Sequence, residues 1–282
     1  MHVDAMQKAV DELGGLPGIA DVGETKVLPK GFHALVDQLS EAYDAYIELV
    51  REEMGLTQVK RPGEPGGCGP CTTMPFGVGG IEALHIYRQV RTRKDFPKLA
   101  NRIGTLGEQQ FADIQAHAQG QDAAQIRGGS KAVQQGRIDF AKRGEACPFL
   151  DEANQRCTIW EHRPFSCRMH HPTTDPAWSD PQNPNYDKVK AKNIRLPVKP
   201  QVALAQLDKR MGLQIAPFLY ASLLQILQLS DGEVLTELGE PPLRMTQDGS
   251  MQQRANRSKR GSKKDQKKKH KDKQKQKKKN RN

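Results

Sequence analysis

Residues 32–54 read FHALVDQLSEAYDAYIELVREEM. Phe32, Leu35, Val36, Leu39, Tyr43, Tyr46, Ile47, Val50 and Met54 recur at steps of three and four, which aligns them on one face of an α-helix. Gly55 closes the run, as glycine does where a helix must stop. Working outward, thinner apolar stripes predict helices over about 80–91, 95–118 and 121–142. Leu204, Leu207 and Met211, then Phe218, Leu219, Leu223, Ile226 and Leu227, predict one broken helix or two successive ones, interrupted by Gly212 and Pro217. Residues 1–30 are glycine-rich and weakly patterned, which predicts an irregular or loosely helical segment. The Pro-, Asp- and Asn-rich stretch 172–200 reads as a long surface excursion.

Charge divides the chain more sharply than hydropathy does. The 282 residues carry a formal net charge of +11, yet residues 251–282 alone hold 16 Lys or Arg against two Asp, so the rest is slightly acidic. The tail has no apolar residue beyond its first few positions and cannot bury a core, which predicts disorder. Lys263, Lys264, Lys267, Lys268, Lys269, Lys277, Lys278 and Lys279 form its densest runs and are candidates for nucleic-acid or ribosome binding through counterion release. A purely solvating tail is the alternative. No aromatic residue is present there to stack on single-stranded bases.

Residues 67–72, GCGPCT, contain the Cys-Gly-Pro-Cys string that thioredoxins use for disulfide exchange. That chemistry needs a buried strand before the motif and a helix after it, because the helix start lowers the thiol pKa. Here RPGEPGG precedes Cys68 and TTMPFGVGG follows Cys71, and neither forms such an element. The same glycines and prolines suit a metal knuckle, where a tight turn aims two sulfurs at one ion. Thiol redox chemistry through Cys68 and Cys71 stays open as an alternative.

Further thiols stand in CPFLDEANQRCTIWEHRPFSCRMHH, residues 147–171, with Cys147, Cys157 and Cys167 ten residues apart. CPFL and CTIW flank the polar DEANQR and predict a short hairpin, with EHRP turning the chain toward Cys167. All three thiols can then converge on the Cys68–Cys71 loop. His162, His170 and His171 are candidate additional ligands. Arg163 and Arg168 are candidates to contact carboxylates or carbonyls and offset thiolate charge, and Trp160 and Phe165 to shield the site from water. The adjacent Asp151 and Glu152 read as solvated turn residues.

This string resembles the YkgJ-type family of cysteine-cluster proteins, described as zinc- or iron-chelating domains, whose pattern runs CxxCxxCC, then CPFL, then C-x-I-Y-E-x-R-P-x-x-C-R. The resemblance spans Cys68–Cys71 and Cys147–Arg168. Pro65 stands where the family shows a cysteine, and Thr72 where it doubles one. Five cysteines still exceed the four that a zinc ion or an iron–sulfur cluster requires. The family includes a flagellin lysine methylase thought to carry an iron–sulfur cluster, so the resemblance also admits a protein-modifying enzyme.

The expected fold is mainly α, with a small irregular cysteine-rich unit containing a short hairpin and a disordered basic C-terminal tail. Its expected organisation is an irregular segment at 1–30, one metal-binding domain at 31–240 with the cysteine cluster at 60–175, and a Lys-rich tail at 241–282. Cys68, Cys71, Cys147, Cys157 and Cys167 are the expected ligands of one zinc ion or iron–sulfur cluster, with a lean to the latter. The lack of a secretory signal or a bilayer-length apolar run predicts a cytoplasmic protein, where thiols stay reduced. No GxSxG, HExxH or GxGxxG is present, and GVGGIEALH at 77–85 lacks the lysine of a phosphate loop.

Overall fold

The computed structural model describes residues 1–67, 77–121, 130–179, 183–213, 215–216, 218–229, 236–238, 243–245 and 251–253. The basic tail beyond Gln253, with all eight candidate lysines, lies outside them, as do Cys68 and Cys71. The fold is mainly helical, as expected. Its helices are α1 (His2–Gly15), α2 (Val22–Thr25), α3 (Phe32–Glu53), α4 (Gly80–Arg91), α5 (Phe96–Gln115), α6 (Lys131–Lys142), α7 (Phe165–Met169), α8 (Val198–Arg210) and α9 (Leu219–Leu229). None is long and apolar enough to cross a membrane. The strands are short pairs: β1 (Val27–Leu28) runs parallel to β6 (Thr236–Glu237), and β2 (Leu150–Asp151) with β3 (Arg156–Cys157) forms the expected hairpin. β4 (His170–Pro172) pairs antiparallel with β5 (Ala191–Asn193), and β7 (Leu243–Met245) with β8 (Met251–Gln253).

Helix α3 forms the spine. Phe32, Val36, Leu39, Tyr43 and Ile47 of its apolar stripe are all buried. Against it packs α1, which corrects the irregular segment expected at the N-terminus. Met6, Ala9, Val10 and Leu13 face inward at helical spacing. The glycines that obscured this helix serve a different purpose. Gly23 donates from its N to Met211 O at 2.8 Å, and a Cβ on Gly23 would lie 2.6 Å from Gly212 O. Gly212 itself has φ +68°, a left-handed conformation that ends α8 at low cost.

Two further expectations are adjusted. Helix α6 starts at Lys131, where Ser130 accepts a hydrogen bond from Val133 N at 3.3 Å and caps it, while residues 122–129 of the helix expected over 121–142 lie outside the described residues. The 172–200 stretch is more than a surface excursion, since β4 and β5 pair and Ile194 and Leu196 enter the core.

Helices α5, α6 and α9 pack through glycine contacts. A Cβ on Gly107 would meet Leu224 Cβ at 2.8 Å and Tyr220 O at 2.9 Å, and one on Gly136 would meet Ile114 Cα at 2.7 Å. Gly104, one turn earlier on α5, faces open space. Replacing Gly104 with Ala should therefore stabilise the protein by about 0.5–1 kcal/mol through helix propensity. Gly107→Ala should destabilise it by about 1–3 kcal/mol through overpacking. Urea unfolding of the two variants measures both signs.

Candidate metal centre

The described cysteines come from three consecutive pieces of one small unit. Cys147 precedes the hairpin and its carbonyl accepts from Leu150 N at 2.9 Å. Cys157 ends β3, paired with Leu150. Between them Asp151 shapes the turn by accepting from Ala153 N at 3.1 Å and Asn154 N at 3.3 Å. Cys167 sits in α7, where its N donates to Pro164 O at 3.0 Å. None of the three is in a disulfide.

The Cys167 thiol is pushed well above its ordinary pKa, first by burial and then by Cys147 and Cys157, whose thiolates would repel its own. The three thiols are thus electrostatic neighbours.

Helix α7 is held from outside its own segment. Phe165 N donates to Glu82 Oε1 at 2.6 Å, and Gly79 N to Glu82 Oε2 at 2.9 Å, so one carboxylate joins the starts of α4 and α7. Burial pushes this carboxyl up to about 7. Asp208 secures the same end of α4, accepting from Gly80 N at 3.1 Å and Ile81 N at 2.8 Å.

Both described ends of the Cys68–Phe76 segment reach this unit. On the N-terminal side, Cys157 N donates to Gly63 O at 3.1 Å. On the C-terminal side, Ser166 Oγ donates to Gly77 O at 2.5 Å. The loop before Cys68 is braced by Arg61, which donates to Glu64 at 2.8 Å and to Glu48 of α3 at 2.5 Å.

Arg163 and Arg168 take different positions. Arg168 is wholly buried; it donates to Arg163 O at 2.9 Å, to Glu161 O, and to Asp44 of α3. Arg163 stacks over Trp160, its guanidinium carbon 3.4 Å from the ring centre, and lies 3.7 Å from Asp44. Its Nε and Nη1 are buried without hydrogen-bond partners, and it interacts electrostatically with Cys167. Arg61 also lies over Trp160, at 5.1 Å. Phe165 meets Tyr43 edge to face at 5.4 Å, joining the unit to the core.

The histidine candidates disperse. His170 pairs through Nδ1 with Asn193 Oδ1 at 3.1 Å, and His171 Nδ1 donates to Met169 O at 2.8 Å. His162 turns to Asp37 and His85, a juxtaposition that sequence reasoning missed. Its only local signal was the four-residue spacing of His33 and Asp37, which puts them on one helix face.

The fit at Gly63 is tight: φ is +89°, and an added Cβ would stand 2.6 Å from Cys157 Cβ. Gly66, with φ +80°, faces open space. Gly66→Ala should cost only the left-handed backbone penalty, about 1–2 kcal/mol. Gly63→Ala should cost about 1–3 kcal/mol more, from the steric conflict with the hairpin. Urea unfolding midpoints of the two variants check the difference.

No curated protein and no solved structure matches the chain. Residues 67–188, which include α4, α5, α6, the cysteine hairpin and α7, match the CxxCxxCC family, whose description is "Putative zinc- or iron-chelating domain".

Proposed function

We propose that the chain binds one iron–sulfur cluster or one zinc ion through four of the five thiols of Cys68, Cys71, Cys147, Cys157 and Cys167. The gathering of Cys147 and Cys157 around the Cys167 thiol carries this reading. Bringing three thiolates together in a dry site raises the free energy of each, and a soft cation removes that cost by binding them all. The anchors at Gly63 and Gly77 support the participation of Cys68 and Cys71, because they tether the intervening segment at both ends to the hairpin and α7.

Arg163 supports the same reading. A guanidinium buried with two unpartnered nitrogen atoms beside Cys167 leaves positive charge poorly compensated. A four-thiolate metal group is anionic and would compensate it. Burial pulls the Arg163 pKa down to about 10, which still leaves it charged at neutral pH.

The thiolate supply favours the cluster over the single ion, since five cysteines, far apart in sequence, exceed the four that one zinc ion requires. When bound, such a group supplies either structural cross-linking or electron transfer. The chain's own residues gather the thiolates, balance their charge and limit water. This chemistry suits a reducing compartment, and we place the protein in the cytoplasm on that ground.

The tail supports a second, accessory role. Its 16 cations in 32 residues favour association with RNA or ribosomes by counterion release. Deleting residues 245–282 should abolish a steeply salt-dependent RNA affinity while metal content stays unchanged, measured by filter binding and metal analysis.

Metal analysis and visible absorption of protein purified without oxygen test the main reading. A brown protein with about four irons per chain is the expected result. A colourless protein with one zinc would replace the cluster with a single ion. Cys147→Ser should lose most of the bound metal. Metal-free wild-type protein with titratable thiols would overturn the reading.

A further inference from the structure

His33 and Asp37 lie one turn apart on α3, His85 lies on α4, and His162 ends the short 3-10 turn Trp160–His162 that follows the cysteine hairpin. The fold draws these three segments to one point. His85 Nε2 stands 3.0 Å from Asp37 Oδ1 and 3.1 Å from His162 Nδ1, and Asp37 Oδ1 stands 3.5 Å from His162 Nδ1. Among the described residues, these are the side chains whose ligand atoms all lie within 4.8 Å of one another.

Those separations match the edges of a coordination polyhedron. Metal–nitrogen and metal–oxygen bonds of about 2.0–2.2 Å place neighbouring ligands about 2.9–3.5 Å apart in octahedral or tetrahedral geometry. Two imidazole nitrogens and a carboxylate oxygen in mutual contact form a poor hydrogen-bond set on their own. Each ring can present only one of its two nitrogens as an unprotonated acceptor, so at most one of the three contacts at a time is met by a well-placed proton when His162 carries its proton on Nε2. A cation between the three atoms satisfies all of them.

We propose that Asp37, His85 and His162 form a mononuclear site for a divalent transition-metal ion, separate from the cysteine centre, with His33 as the positioning residue behind it. His33 Nδ1 lies 3.2 Å from His85 Nδ1, so it holds the ring that presents Nε2 to the ion. Such partners orient a ligating histidine and fix its tautomer.

Exposure sets the character of the site. His85 is buried, at 3% exposure, whereas the side chains of His162 and Asp37 are 28% and 41% exposed. The ion would be held from the protein side and open toward solvent, leaving positions for water or a small anionic ligand. Two histidines and one carboxylate with open positions are the donor set of hydrolytic zinc and non-haem iron(II) sites. The donors are nitrogen and oxygen, whereas those of the proposed cysteine centre are sulfur, so the two sites select different metals. Three cations act on this group: Arg168, offset by Asp44, on His162, Arg88 on His85 and His33, and Arg91 on His33. Asp37 therefore supplies the charge that holds the ion.

Cobalt(II) titration of the full chain, as purified with its cysteine-bound metal, tests the site. Wild type should take up one equivalent and develop weak visible d–d bands without thiolate charge-transfer absorption. Asp37→Asn and His162→Gln, both on the solvent side, should weaken cobalt binding at least about tenfold while circular dichroism stays that of wild type. Cys147→Ser should leave the nitrogen/oxygen-type bands in place, so failure of the cysteine reading and failure of this one are separable. Equal cobalt affinity in wild type, Asp37→Asn and His162→Gln would overturn the site, as would a thiolate charge-transfer band accompanying uptake.

Discussion

Arg168 is among the bulkiest side chains wholly inside the protein, and the cysteine unit is organised around it. Its guanidinium reaches Asp44 on α3, the carbonyl of Glu161 in the 3-10 turn and the carbonyl of Arg163. A buried charge must have its partners, and removing one side of such a pair typically costs about 3–5 kcal/mol. This contact therefore fixes where the segment from Trp160 to Met169 lies against the helical body. Cys167, Arg163 and His162 all belong to that segment, so both candidate metal sites depend on one ion pair.

Helix α3 connects the two sites. Phe32, Val36, Leu39, Tyr43 and Ile47 bind it into the core, while other faces present His33, Asp37, Asp44, Glu48 and Arg51. Arg51 donates to the carbonyls of Leu56, Thr57 and Val59 at 3.0–3.3 Å, folding the chain back beyond Gly55. Glu48 then receives Arg61. The approach to Cys68 is thus built from α3 side chains.

Legibility in the sequence followed the range of the interactions. The stripe from Phe32 to Met54 and the CPFL and CTIW flanks of the hairpin are local patterns, and the structure has a helix and a hairpin there. The N-terminal helix has its own stripe in Met6, Ala9, Val10 and Leu13, but Gly14, Gly15, Gly18 and Gly23 obscured it. Gly23 is present because another backbone approaches it, which only the tertiary structure reveals. The Asp37–His85–His162 group had no linear signature, since its members lie 48 and 77 residues apart along the chain. His33 and Asp37 at i and i+4 read by themselves as an ordinary helix face.

The arrangement of charge differs between the two candidate sites. At the cysteine side the nearby cations are Arg163, which interacts with Cys167, and Arg93, which interacts with Cys157. Thiolates need that positive surround to be tolerable in a buried setting. Away from the thiols, the rings of His85 and His162 meet the carboxylate of Asp37, a surround suited to a cation. Arg168 is neutralised by Asp44 and two carbonyls. The turn Trp160–His162 carries His162 only five residues before Cys167 of α7, so the two proposed centres would draw on one short stretch of chain, one through sulfur and the other through nitrogen and oxygen.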